Sequence, residues 1–122
     1  MLNQSFTQSI TVTENQTADK VGSGGLPVFS TPSLIALMEN TAMKMFENLS
    51  SELTTVGAEI NIRHLKASKI GSIITCTATC NEIDNRKYAF QIQAIDEKGD
   101  TIGEGSHVRY IVSIEKFMNK IN

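Results

Sequence analysis

Long apolar runs are missing from this sequence. The longest, residues 34–38, is far too short to cross a bilayer. Residues 1–10 hold no basic stretch followed by an apolar core, so no secretory signal is expected. No charge sign dominates: 11 basic against 13 acidic residues leave a formal net charge of -2 and a pI near 5.6. That argues against a general nucleic-acid or anionic-membrane surface. Cysteine is scarce. Cys76 and Cys80 in an extended strand would lie roughly 13 Å apart at ~3.3 Å per residue, too far for a disulfide. Two lone thiols are also poor metal ligands, so both are expected as small buried residues in a reducing cytoplasm. The glycines at 22, 24 and 25 are followed by neither Gly-Lys-Ser/Thr nor a GxGxxG pattern, which removes the usual nucleotide loops. They suit a mobile loop over a site. There is no internal repeat, no low-complexity tract and no linker.

What is present fits one domain over residues 1–122, with 40% hydrophobic residues for a core. A domain this small has a high surface-to-volume ratio, and a second copy would help it. Residues 6–12 alternate and read as a strand, and residues 15–25 read as a loop. A helix follows, with Thr31 as N-cap candidate and Pro32 as first helical residue. Its apolar positions are 34, 35, 38, 42, 45, 46 and 49, and its first turns are apolar all round, which means burial on most sides. Strand patterns then fill residues 58–65, 72–80, 88–95 and 102–114. They are separated by turn formers at 67–71, 84–86 and 97–100. Strands this close in sequence are antiparallel neighbours. The prediction is an α+β fold: an antiparallel β-sheet wrapped around a long central helix.

Three polar residues stand against this pattern. Glu39 falls on the flank of the helix's apolar arc, where a carboxylate is costly unless paired or protonated. The alternative is a Glu that reaches water at the helix edge. His64 shares the apolar face of its strand with Ala58, Ile60 and Ile62; the alternative is a hydrogen-bonded core histidine. Together they point to one helix–sheet interface, where a carboxylate and an imidazole suit general acid–base work. Thr31 is either the N-cap or a nucleophile or hydrogen-bond donor. It lies eight residues from Glu39, roughly 12 Å along a helix. Both reach one carbon only if the loop folds back or a second subunit contributes. Gly103 and Gly105 suggest a bulge or close backbone approach. His107 reads as structural or exposed. Arg63, Lys66, Lys69, Arg86 and Lys87 could form a basic rim for phosphates, or be solvated surface.

Three segments carry a family resemblance: FSTPSLIALME (29–39), VGAEINIRHL (56–65) and GEGSHVR (103–109), with the AIDEKG turn (94–99) between the last two. In this order they resemble the fluoroacetyl-CoA thioesterase-like branch of the hotdog fold. The resemblance implies hydrolysis of a short or medium acyl-CoA thioester, with no metal or prosthetic group and CoA as part of the substrate. Thr31, Glu39 and His64 match the family's catalytic threonine, glutamate and histidine. Gly57 matches its oxyanion-binding glycine and Arg109 an arginine of the last strand. Phe29, the single aromatic in residues 21–29, joins Gly57 and Arg109 as a substrate-contact candidate. The resemblance also implies homodimers or dimers of dimers with sites at the subunit interface. Two other functions stay open at this point: a non-catalytic acyl-CoA or small-ligand binding protein, and a dehydratase on the same fold.

Overall fold

A computed structural model describes residues 1–122. The chain runs β1 (Ser5–Thr11), a 3₁₀ turn (Glu14–Gln16), α1 (Ala18–Val21), α2 (Thr31–Met43), β2 (Leu53–His64), β3 (Ile73–Asp84), β4 (Lys87–Ile95), β5 (Thr101–Ser113) and α3 (Ile114–Asn119). All strands pair antiparallel in one sheet of order β1-β3-β4-β5-β2. The connections turn where the sequence has turn formers, with positive φ at Gly71, Asn85 and Gly99.

The sheet wraps α2. Leu34 and Met38 are fully buried against the inward residues of β3 and β4, among them Ile74, Ile92 and Phe90. Each such side chain contributes roughly 1.5–3 kcal/mol by leaving water. Cys76 and Cys80 are buried in the same face, and burial pushes the Cys76 thiol up to about 11. Neither is a reactive thiolate near neutral pH. On the outer face, hydroxyl pairs tie β1 to β3: Ser5–Thr79 at 2.6 Å, Thr7–Thr77 at 2.8 Å and Ser9–Thr75 at 2.8 Å.

Two glycines let the layers approach. A β-carbon at Gly103 would lie 2.7 Å from the Leu34 side chain, and one at Gly105 would collide with the Asn61 carbonyl of β2. The close approach predicted from these glycines is therefore real.

Some boundaries differ from the pattern. α2 stops at Met43, although apolar spacing runs to residue 49. Met45 and Phe46 bond back to the carbonyls three residues earlier, tightening the chain. That turn swings Phe46 edge-on to Tyr88 and Phe90, with ring centroids 4.9 and 6.0 Å apart. Aromatic packing wins over continuation of the helix. β2 starts at Leu53 rather than residue 58, β3 continues to Asp84, and residues 114–119 coil into α3, capped by Ser113.

Candidate functional site

The N-terminus of α2 is capped by Ser30, not Thr31. The Ser30 side chain accepts from the Ser33 amide at 3.1 Å, with Pro32 in the first turn. This shift by one residue frees the Thr31 hydroxyl, which lies 2.7 Å from His64 Nδ1 at the end of β2. The His64 Nε2 atom is buried without a hydrogen bond in the chain. Burial pushes the imidazole below its ordinary pKa, and a weaker interaction with the Lys66 backbone partly offsets it. A neutral imidazole beside a hydroxyl is equipped to take its proton. The pair lines a cavity of about 320 Å³, walled also by Phe29, Ser30, Leu65 and Ala67. Phe29 belongs to the hydrophobic core as well, and its amide donates to the Ser68 carbonyl at 2.8 Å.

Beside it lies a second cavity of about 520 Å³, sharing Val28, Lys66 and Ala67 with the first. Lys69 and Lys98 also line it; Arg63, Arg86 and Lys87 do not. Lys66 is held between Asp96 at 2.8 Å and Asp100 at 2.6 Å. The Lys66 ammonium keeps the Asp96 carboxyl below the usual carboxylate range.

Glu39 lies elsewhere. It sits over Gly57, where a β-carbon would come within 2.8 Å of its Oε2, 3.2 Å of His107 Cε1 and 3.4 Å of Arg109 Nη1. Gly57 does not open its strand; it is the fifth residue of β2, opposite Arg109, and Ala58 bulges out after it. Arg109 donates from Nε to Thr55 Oγ1 at 2.9 Å and from Nη2 to the Thr55 carbonyl at 3.1 Å. Its Nη1 meets His107 Nε2 at 3.2 Å, and His107 Nδ1 meets the Glu59 carbonyl at 2.7 Å. Burial lowers the pKa of both His107 and Arg109, and the charge of Glu39 opposes this in each.

The expected convergence of Glu39 and His64 is therefore not made within one chain. Both face the helix side of the sheet, but Gly57 and His64 are seven residues apart on β2, about 23 Å at ~3.3 Å per residue. Each end of α2 meets its own end of the strand. His107 was undervalued by the alternation, because Val108, Tyr110 and Val112 looked like the core face of β5. It is 1% exposed and packs against Phe90. The signal that could have found it is Gly103. A β-carbon there would meet Leu34 and Met38 of α2, which marks the odd-numbered residues from 103 onward as the ones under the helix.

Comparison with known proteins agrees with this architecture. The family model described as fluoroacetyl-CoA-specific thioesterase matches residues 12–115. The fluoroacetyl-CoA thioesterase of Streptantibioticus cattleyicolor is 30% identical over 95 residues, covering 77% of this chain and 68% of that protein. A solved fluoroacetyl-CoA thioesterase superposes with a TM-score of 0.92 at 26% identity, over 99% of this chain and 94% of that one. Related structures of that enzyme hold fluoroacetate with CoA, or acetyl-CoA. A hot-dog-like protein of Thermanaerovibrio acidaminovorans shares the fold, with a TM-score of 0.88 at 19% identity over 98% of this chain and 89% of that one. The fold is the hotdog fold, and the chain belongs to the fluoroacetyl-CoA-specific thioesterase family.

Proposed function

We propose that this thioester hydrolase cleaves a short or medium acyl-CoA thioester to the free acid and CoA. The observation that carries the reading is the 2.7 Å Thr31–His64 pair in the wall of a cavity, with Glu39 left free of ion pairs on the same helix. In this reading a base, Glu39 or His64, takes a proton from water as the water oxygen attacks the thioester carbonyl. The C–S bond then breaks, and the proton passes to the departing thiolate. Thr31 holds the acyl group. In the alternative its Oγ1 attacks the thioester carbonyl while His64 takes its proton. The C–S bond breaks, the departing thiolate receives that proton, and water then hydrolyses the Thr31 ester to the free acid. The Gly57 backbone stabilises the oxyanion, and one such donor is worth about 2.7–4 kcal/mol. Phe29 walls the acyl group, and Arg109 supplies positive charge to the site. No metal or prosthetic group enters. Phe29 is the single aromatic in the loop before α2, so the substrate class is kept broader than fluoroacetyl. Lys69 and Lys98 suit the phosphates of CoA, while Lys66 is already held by Asp96 and Asp100. The two free buried thiols fit a reducing cytoplasm, and no helix is long and apolar enough to cross a membrane. One hotdog unit spans residues 1–122.

The site in this reading is shared between two copies of the chain, alone or as a dimer of dimers. β2 is a twelve-residue edge strand with Gly57, Ala58 and Ile60 exposed, and an open edge of this length invites a partner strand. Antiparallel pairing of β2 with its copy, centred on Asn61, keeps Ile60 opposite Ile62 of the partner subunit. Side chains directly opposite share a face, so both helices stay on one side. The Gly57–Ala58 bulge then faces His64 of the partner subunit, which brings Glu39 to the partner's Thr31–His64 pair.

The test is complementation. Glu39→Gln and His64→Ala are each expected to lose about 10²–10⁴-fold in acyl-CoA hydrolysis. Mixed and reassorted, a heterodimer holds one site with both substitutions and one with neither. Random reassortment then returns about a quarter of wild-type activity. No recovery on mixing would place the site within one chain, and full activity in both folded variants would remove these residues from it. Release of free thiol separates hydrolysis from dehydration, which leaves a double bond, and from binding without turnover.

A further inference from the structure

His107 lies outside the three residues proposed to react, yet its bonding is fully determined. Arg109 cannot accept a hydrogen bond, so His107 Nε2 must accept from Nη1. The Glu59 carbonyl cannot donate, so His107 Nδ1 must carry the proton. The ring is thus neutral, and its tautomer is set by its two partners. Arg109 therefore has three bonds, all to neutral acceptors: Thr55 Oγ1, the Thr55 carbonyl and His107 Nε2. Glu39 lies close enough for its charge to act on both residues, yet Arg109 and Glu39 form no ion pair. A guanidinium beside a carboxylate normally closes on it as a bidentate pair. Here Nη1, the guanidinium nitrogen that borders the space over Gly57 together with Glu39 Oε2, is taken by an imidazole.

We propose that His107 is a positioning residue: by occupying Arg109 Nη1 it keeps the guanidinium near Glu39 but off it. This rests on Glu39 acting as the base. A carboxylate locked in a salt bridge is a weaker base, and its oxygens are no longer available to water. A carboxylate with a positive charge nearby but unbonded keeps its oxygens open to water and to a proton. Gly57 completes the arrangement, because any side chain there would push Glu39 from its place. The titratable groups around Glu39 at this end of the fold are His107 and Arg109 of β5 and Tyr88 of β4, which stands opposite Arg109. β2 presents Thr55 and Gly57. In the proposed dimer, His64 of the partner subunit joins them.

The experiment compares His107→Leu, which removes the acceptor, with His107→Gln, which keeps one. In His107→Leu, Arg109 closes on Glu39: kcat falls at least about tenfold with KM little changed. The acid limb of the kcat profile moves down by about one pH unit or more. His107→Gln restores most of kcat and the original limb, and adding Arg109→Met to His107→Leu moves the limb back up. A purely structural His107 would change stability without moving the limb, and Gln would not rescue. Either result, or a folded His107→Leu with wild-type kcat, overturns the proposal. The Glu39 carboxyl carbon, followed by NMR titration, reads the same ion pair without turnover. If the wild type hydrolyses no acyl-CoA, the proposed function fails. The positioning fails separately if the Glu39 titration midpoint does not drop in His107→Leu.

Discussion

The two ends of α2 hold their polar groups in opposite ways. At the Thr31–His64 end there is one side-chain bond, an exposed hydroxyl and an open cavity. At the Glu39 end, Thr55, Arg109, His107 and the Glu59 carbonyl form a buried chain of four bonds, and Glu39 rests on a glycine beside it. The difference teaches where freedom is needed. The first end leaves its residues within reach of a ligand, and on the proposed function that ligand is the acyl group. The second holds a charge in place by surrounding it with partners that are already satisfied.

Substitution at position 57 is the most severe way to break this contrast. Gly57→Ala puts a methyl group 2.8 Å from the Glu39 carboxylate, which must move by a fraction of an ångström to about one ångström. Misplacement on that scale costs on the order of 10²-fold in rate, read as kcat with KM nearly unchanged. If the Glu39 end is as tightly determined as described, no rotamer of Glu39 recovers the loss. A loss under threefold would show that the carboxylate has room. The other end is probed by Ser30→Ala. Loss of this cap should lower stability by about 1 kcal/mol in a urea titration and leave the 2.7 Å Thr31–His64 bond intact. If hydrolysis falls more than stability accounts for, Thr31 depends on the cap for its orientation.

Acid sharpens the comparison with the smallest effect. Both His64 and His107 titrate below their ordinary value of 6.5 in the fold, and burial is the main cause for each. The unfolded chain therefore binds their protons more readily. Their contribution to stability is complete above about pH 6.5 and is lost as pH falls through the folded-state values. Urea midpoints should be flat from pH 8 to 7 and decline toward pH 5. His107→Gln should lessen the decline more than His64→Gln does, because His107 is the more buried of the two imidazoles.

The turns were legible because Gly71, Asn85 and Gly99 sit where the chain needs positive φ. Strand order was only partly so: β3, β4 and β5 are neighbours as expected, whereas β2 pairs with β5 at the sheet edge instead of with β3, the strand that follows it in sequence. The end of α2 was not, because Phe46 keeps helical spacing while its ring is claimed by Tyr88 and Phe90. The same limit applies at the site. Periodicity reports which face a side chain takes but not its distance along the element. It placed Glu39 and His64 on the helix–sheet interface, and missed the seven-residue separation of Gly57 and His64 along β2. Thr31 stays open between cap and site residue in the sequence because Ser30 and Thr31 share the same capping chemistry; the structure gives the cap to Ser30. The eight-residue spacing of Thr31 and Glu39 carries a condition: if both act on one carbon, the site needs a folded-back loop or a second copy.

On the proposed pairing of two copies, the free edge of β2 makes catalysis a matter of concentration. If each working site draws Glu39 from one chain and Thr31 and His64 from another, an isolated chain carries two half-sites and completes neither. Far below the dissociation constant of the pair, the number of complete sites grows with the square of the amount of chain. Expression level would then set how much hydrolase a cell holds and also whether each molecule works at all.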